Sequence, residues 1–151
     1  MPQQSSFLPI AVLMFLTGIG IPVMAALNAG LGKQLDSPVA ATFVFCVVAV
    51  LAAVAAMLMT GVPAASRFTL EQPQVYLAAL FFVFYLLAIT WAAPRIGLGN
   101  AVFFVLLGQL VAAAAIDHFG WLGAIQSSLT IRRLVGLLVM AIGIYLARKQ
   151  A

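Results

Sequence analysis

The chain has 151 residues, of which 66% are hydrophobic and 7% are charged, with a formal net charge of +4. A soluble domain carries roughly a quarter of its residues charged, so this balance excludes a water-exposed surface and indicates an integral membrane protein. The basic residues lie singly or in pairs between apolar runs, and this scattered pattern argues against nucleic acid as a partner.

The first predicted membrane helix covers residues 7–31 and is interrupted near its middle. Gly18 and Gly20 precede Pro22 there. Because proline lacks the N–H group that a helix uses, we expect a kink or local unwinding at this helix break. Asn28 follows in the same helix. An amide in a membrane either hydrogen-bonds a neighbouring helix or contacts a ligand, and both roles are open for Asn28.

The next two predicted membrane helices cover residues 38–60 and 75–93. Pro38 suits the first position of a helix because its fixed φ angle is already helical. The third helix is rich in aromatic side chains, which are commoner at lipid-facing and core positions than around a ligand. The short stretch Pro94–Ile96 then leads into the next helix.

The fourth predicted membrane helix, residues 98–116, combines an apolar run with two amides, Asn100 and Gln109. Gln109 needs a hydrogen-bonding partner in lipid, because an unsatisfied amide there costs several kcal/mol. Substrate contact and interhelical hydrogen bonding are its two candidate roles. Nine residues separate the two amides, which places them on opposite sides of the helix.

Two titratable residues, Asp117 and His118, follow the fourth apolar run directly. They are candidates for proton coupling or, because they lie at a helix end, for interfacial groups that dock the chain there. The fifth predicted helix covers residues 131–147 and has only a short apolar centre between basic residues. It crosses the membrane if those long side chains reach back to the interface.

Five crossings place the two termini on opposite sides and divide the basic residues almost evenly. One side holds Arg67, Arg132 and Arg133, whereas the other side holds Lys33, Arg95, Arg148 and Lys149. Since orientation is set by the Lys and Arg bias between loops, we expect either dual topology or a partner that fixes the orientation. An antiparallel homodimer would then form a ten-helix, inverted-repeat body.

Nearly the whole chain resembles the YdcZ-like family of short five-span proteins in the drug/metabolite transporter superfamily. The resemblance rests on IPVMAALNAGLG and SPVAA in the first third, on APRIGLGNA, GQL and IDHFGWLG around the fourth span, and on RRLVGLLVMAIGIYLARK at the end. It implies half-size transporters that occur as dual-topology homodimers, antiparallel pairs or fused tandem forms. Met24 departs from the family, which usually has a glutamine two residues after the proline.

These observations predict an all-α, polytopic protein of the inner membrane with a single membrane domain over residues 1–151. The expected function is transport of an unidentified small molecule by an antiparallel homodimer in contact with lipid. The predicted substrate contacts are Asn28, Gln109 and Asn100. The alternative is a non-transporting membrane subunit or scaffold that packs against a partner protein or lipid. Neither enzymatic activity nor a metal or cofactor is expected, because no nucleophile with a base, paired carboxylates or metal-ligand cluster is visible.

Overall fold

Helices are the only regular elements in the part of the chain that is described. The computed structural model describes residues 4–64 and 73–147, with side chains from Phe7 onward. Its α-helices are α1 (Gln4–Gln34), α2 (Pro38–Thr60), α3 (Ala78–Ile96), α4 (Leu98–Phe119) and α5 (Ile131–Ala147). Short 3₁₀ helices cover Pro73–Leu77, before α3, and Trp121–Gly123, after α4. The predicted all-α, polytopic membrane fold is confirmed.

Four of the described helical segments are long and apolar enough to cross a membrane, with mean hydropathies between 2.0 and 2.7. At most 17% of the most apolar window in any of them is buried, so their surfaces require lipid or another protein as cover. The fifth helix, α5, has 17 residues. At about 1.5 Å per residue it is slightly shorter than the ~30 Å hydrocarbon core, so its crossing stays a prediction.

A tight turn joins α1 to α2. Asp36 has a positive φ of 48°, which reverses the chain after the last turn of α1. Ser37 then caps α2, because its Oγ atom accepts a hydrogen bond from the Ala40 N–H at 3.1 Å. Pro38 occupies the first turn of α2, where its missing N–H has no acceptor in any case, and the prediction for this residue is confirmed.

The helix α1 passes through Gly18, Gly20 and Pro22 without interruption. The expected local unwinding is therefore not observed, and a kink within a continuous helix stays a prediction. Only one backbone hydrogen bond is lost at Pro22, whose φ angle is compatible with a helix. The carbonyl that the proline ring approaches belongs to Gly18, and no other side chain lies near either glycine.

The chain divides into two compact units, Met1–Arg95 and Ile96–Ala151. The single membrane domain stays a prediction, and Arg67, Arg148 and Lys149, which enter the charge balance, lie outside the described residues. In the first unit the buried apolar residues are mostly small, which lets helices approach closely in lipid. They are Ala25, Ala29, Ala41, Leu86, Ile89 and Ala93.

Candidate functional site

A buried amide–hydroxyl pair joins α1 to α3 in the first unit. The Asn28 Nδ2 atom donates a hydrogen bond to Thr90 Oγ1 at 2.6 Å. Both residues are buried, with exposed fractions of 3% and 2%. Because a buried polar group is stable only when it is hydrogen-bonded, each of the two helices depends on the other to satisfy its polar side chain.

Gly32, one turn beyond Asn28 on the same face of α1, lets the two helices approach. A Cβ atom at Gly32 would lie 2.8 Å from Thr90 Cγ2 and 3.8 Å from Ala41 Cβ. Thr42, the residue after Ala41, is also buried. Its hydroxyl donates to the Pro38 carbonyl of its own helix at 2.9 Å and does not reach another helix. Asn28 and Thr90 are therefore the buried polar pair that links different helices.

Asn28 is also one of the residues that line a cavity of about 310 Å³. The cavity is formed by α1 and α2, and Asn28 is the one polar residue among those that line it. The other lining residues are Met24, Leu27, Leu31, Val44, Phe45 and Val48. A mostly apolar cavity with a single oriented polar group is the common form of a small-molecule site.

Asn100 lies in the second unit, where it faces α5. Its Nδ2 atom donates to the Ile96 carbonyl at 2.9 Å. It also lines a cavity of about 200 Å³, formed by α4 and α5, together with Phe103, Phe104, Leu107, Ala141, Ile144 and Tyr145. The Asn100 amide therefore has a hydrogen-bond acceptor within the second unit, and the residues that line the cavity with it are apolar or aromatic.

Gln109 lies exposed on α4. No other described residue forms a hydrogen bond with its amide. Asn28 belongs to the first unit, whereas Gln109 and Asn100 belong to the second. The predicted substrate contacts of these three amides stay a prediction.

Asp117 and His118 hold the segment after α4 against the end of that helix. Asp117 Oδ2 accepts from Arg133 Nη2 at 2.6 Å in an ion pair, and both side chains are about one-third exposed, at 34% and 36%. His118 Nδ1 accepts from the Leu129 N–H at 3.1 Å. The Asp117 carbonyl also accepts from the Ser127 N–H at 2.8 Å. These contacts favour the interfacial role for both residues over proton coupling.

A third cavity, of about 410 Å³ and apolar, also lies between α4 and α5. His118 is the one polar residue in its lining, and its Nδ1 atom is already occupied by the Leu129 N–H. The remaining lining residues are Leu107, Val111, Ala114, Ala115, Phe119, Leu129, Leu134, Leu137, Leu138 and Ala141. The cavity thus provides apolar volume but little means of orienting a polar ligand.

Two polar residues of α3 were not singled out from the sequence. Thr90 is the partner of Asn28, and the signal for it was a hydroxyl within an otherwise apolar run. Tyr85 was counted only among the aromatic residues. Its hydroxyl is buried and has no hydrogen-bond partner among the described residues. A buried, unpaired hydroxyl is uncommon, and it is therefore a candidate ligand contact.

No group of three or more His, Cys, Asp or Glu side chains that could hold a metal ion occurs within residues 4–64 and 73–147. The polar groups that the structure does bring together are amides, hydroxyls and one ion pair. They can form hydrogen bonds and hold helices together, as Asn28 and Thr90 do.

A family model described as "Putative inner membrane exporter, YdcZ" matches residues 9–146. The match includes nearly all of α1 and α5 and the whole of the region between them. No curated protein and no solved structure matches the chain. The description is that of an exporter family rather than of an enzyme family, and together with the apolar helices it assigns a multi-pass protein to the inner membrane.

Proposed function

This chain belongs to the YdcZ family of putative inner membrane exporters, and on that premise we propose that it carries small uncharged molecules as an antiparallel homodimer. The observation that carries the proposal is the Asn28 amide in the wall of an apolar cavity of about 310 Å³. An amide at that place gives a passing ligand one point of orientation, and the apolar wall lets the ligand leave again.

The lining of this cavity favours uncharged ligands. It contains no charged side chain, and a charge without a partner is costly inside a membrane. Asn28 uses Nδ2 to donate to Thr90, while its carbonyl oxygen is an acceptor. The proposed substrate is therefore a small, mostly apolar molecule with a hydrogen-bond donor.

Helix number and charge support the proposed antiparallel dimer. The expected five spans and the balanced distribution of Lys and Arg in the sequence allow the two orientations that an inverted pair requires. Asn100 is proposed as a second substrate contact, because its amide lines a cavity with aromatic walls. Asp117 and His118 are proposed to fix the end of α4 at the membrane interface rather than to couple transport to protons.

A second candidate function is a non-transporting membrane subunit. The Asn28–Thr90 hydrogen bond favours it, because a buried bond between α1 and α3 serves assembly without any ligand. In that case substitutions of Asn28 would change stability and association alone. The two functions therefore differ in whether the Asn28 amide contacts a ligand in addition to its hydrogen bond with Thr90.

Ligand-induced thermal stabilisation of the purified protein separates the two functions. Metabolites, amines and lipids are screened against the wild type, and the stabilising compounds are tested on Asn28→Ala and Thr90→Val. Both variants lose the same interhelical hydrogen bond, but Thr90→Val keeps the amide in the cavity wall. Both should lose roughly 1 kcal/mol of stability.

Transport through this cavity predicts that Thr90→Val keeps the ligand-induced rise in melting temperature and that Asn28→Ala loses it. Equal ligand responses in both variants would remove Asn28 from the binding site. A wild type that no compound stabilises, and that purifies with one fixed partner protein, would support the subunit function instead.

A further inference from the structure

The face of α4 that lies away from the cavities with α5 carries one polar residue, and it lies at the centre of the helix. The helix runs from Leu98 to Phe119, so Gln109 is within half a residue of its midpoint. Leu106, Ala112 and Ala113 are three or four residues away, which places them on the same face. All of these residues are exposed.

An unpaired amide at this depth is costly. Lipid tails offer neither donors nor acceptors, and an unsatisfied amide in the hydrocarbon core costs several kcal/mol. Within the described chain the Gln109 amide has no hydrogen-bond partner. The amide therefore requires a polar partner near the middle of the membrane beyond those that the described residues of α4 and α5 offer.

Other polar residues of α4 do not have this requirement. Asn100 lies on the opposite side of the helix, donates to the Ile96 carbonyl and lines a cavity with α5. Asp117 forms an ion pair with Arg133. Gln109 is thus the polar residue of α4 that has no hydrogen-bond partner among the described residues of its own unit.

We propose that the Gln109 amide pairs with the Gln109 amide of a second, antiparallel copy, so that the two α4 helices cross at this residue. The inference rests on the antiparallel dimer of the proposed function and assigns its axis. A two-fold axis brings a residue against itself. A carboxamide suits that position because it has both donors and an acceptor, so two copies can exchange two hydrogen bonds.

The central position of Gln109 fits an antiparallel crossing. Two inverted helices that cross at their midpoints occupy the same depth of the bilayer to within about one residue, or ~1.5 Å. A crossing near either helix end would displace one helix from the hydrocarbon core. The geometry therefore keeps both copies embedded equally.

The sizes of the neighbouring side chains also fit an antiparallel pair. Before Gln109 this face carries Val105 and Leu106, whereas after it the face carries Ala112 and Ala113. An antiparallel crossing packs the large side chains of one copy against the small ones of the other. A parallel crossing would place large against large and leave a gap between the alanines, which close-packed helix interfaces avoid.

Cysteine cross-linking in native membranes tests this arrangement. The background variant is Cys46→Ser, which removes the single natural cysteine. Three further variants each add one cysteine, as Gln109→Cys, Val105→Cys or Ala113→Cys. Each variant is expressed alone, and Val105→Cys and Ala113→Cys are also co-expressed with different tags. The membranes are then treated with an oxidant. Val111→Cys, on the opposite face and exposed, is the matched control.

The proposal predicts that Gln109→Cys cross-links to itself and that Val105→Cys cross-links to Ala113→Cys. When expressed alone, Val105→Cys and Ala113→Cys should each form no more cross-linked dimer than the Val111→Cys control. Self-linking of both Val105→Cys and Ala113→Cys would show a parallel pair and overturn the proposal. The absence of all cross-links through this face would also overturn the proposal. In that case a different protein, lipid or the chain's own first unit covers the face.

A measurement of dimer stability keeps the proposal separate from the proposed function. Gln109→Leu should weaken dimer association roughly three- to eight-fold, as expected for one or two membrane hydrogen bonds, whereas Val111→Leu should not. A stable antiparallel dimer in which Gln109→Cys does not cross-link would overturn this axis and leave the transport proposal intact. Cross-linking of Gln109→Cys without any ligand-induced stabilisation of the wild type would support this axis and overturn the transport proposal.

Discussion

The contact between Gly32 and Thr90 allows a sharp test of how the first unit is held together. Replacement of Gly32 by alanine adds a Cβ atom 2.8 Å from Thr90 Cγ2 and 3.7 Å from the Pro38 Cα. Thr90 is short and β-branched, and its hydroxyl is held by Asn28. It cannot move away without loss of that hydrogen bond or displacement of α1 from α3.

Gly30→Ala is the matched control for this substitution. Gly30 lies in the same helix, two residues earlier, and no atom lies within 4 Å of a Cβ atom placed there. Alanine is favoured over glycine within a helix by about 0.5–1 kcal/mol, so Gly30→Ala should be neutral or stabilising. Overpacking costs typically about 1–3 kcal/mol, so Gly32→Ala should be less stable than Gly30→Ala by that amount.

A second substitution identifies the clash itself. Thr90→Ser removes the Cγ2 atom that the new methyl group would meet but keeps the hydroxyl for Asn28. In the Gly32→Ala background it should therefore recover most of the lost stability, which unfolding of the purified protein in detergent, followed by Trp fluorescence, would measure. Equal stabilities of Gly32→Ala and Gly30→Ala, or no recovery with Thr90→Ser, would refute the close approach of α1 to α3.

Three further predictions concern single contacts. Asp117→Asn should lower the free energy of unfolding by less than about 1 kcal/mol, because the ion pair with Arg133 is partly exposed. It should nevertheless increase hydrogen exchange in residues 124–130. The charge-swapped double variant, Asp117→Arg with Arg133→Asp, should reverse this increase. Gly120→Ala should lower the unfolding free energy by about 1 kcal/mol, because Gly120 has a φ of 61°. Tyr85→Phe should leave stability unchanged or raise it by about 1 kcal/mol in the same assay, since the hydroxyl that it removes is buried and unpaired; a clear loss would show that the hydroxyl has a partner.

The helices and most of their ends could be anticipated from the sequence. Long apolar runs specify membrane helices, and the residues at their ends have local effects that do not depend on the rest of the fold. Pro38 begins α2, and Gly120 ends α4 in a left-handed conformation. The helix α3 continues to Ile96, beyond the predicted span, although Pro94 lies in its last turn. The proline removes one N–H donor, but its φ angle is compatible with a helix, so the helix can continue past it.

The partner of Asn28 could not be anticipated in this way. Thr90 is 62 residues distant, and nothing local distinguishes its hydroxyl from those of Thr17 or Thr60. In the structure these two threonines donate to backbone carbonyls of their own helices, which satisfies them without a neighbour. The pairing of Asn28 depends on how α1 and α3 pack, and that packing involves buried residues spread over both helices, among them Ala25 and Ala29 of α1 and Leu86 and Ile89 of α3.

Of the three amides that the sequence analysis gave as substrate contacts, Asn28 and Gln109 differ most in their surroundings. Asn28 is satisfied within one unit, so its contribution to folding is complete without a second copy, and only its second use, towards a ligand, is proposed. Gln109 is exposed at the centre of a membrane helix and has no hydrogen-bond partner among the described residues of its unit, so an amide that costs free energy in lipid still requires a partner. If the proposed antiparallel pair forms, each copy can pack its first unit in either orientation, and the two Gln109 amides are satisfied when the inverted copies meet.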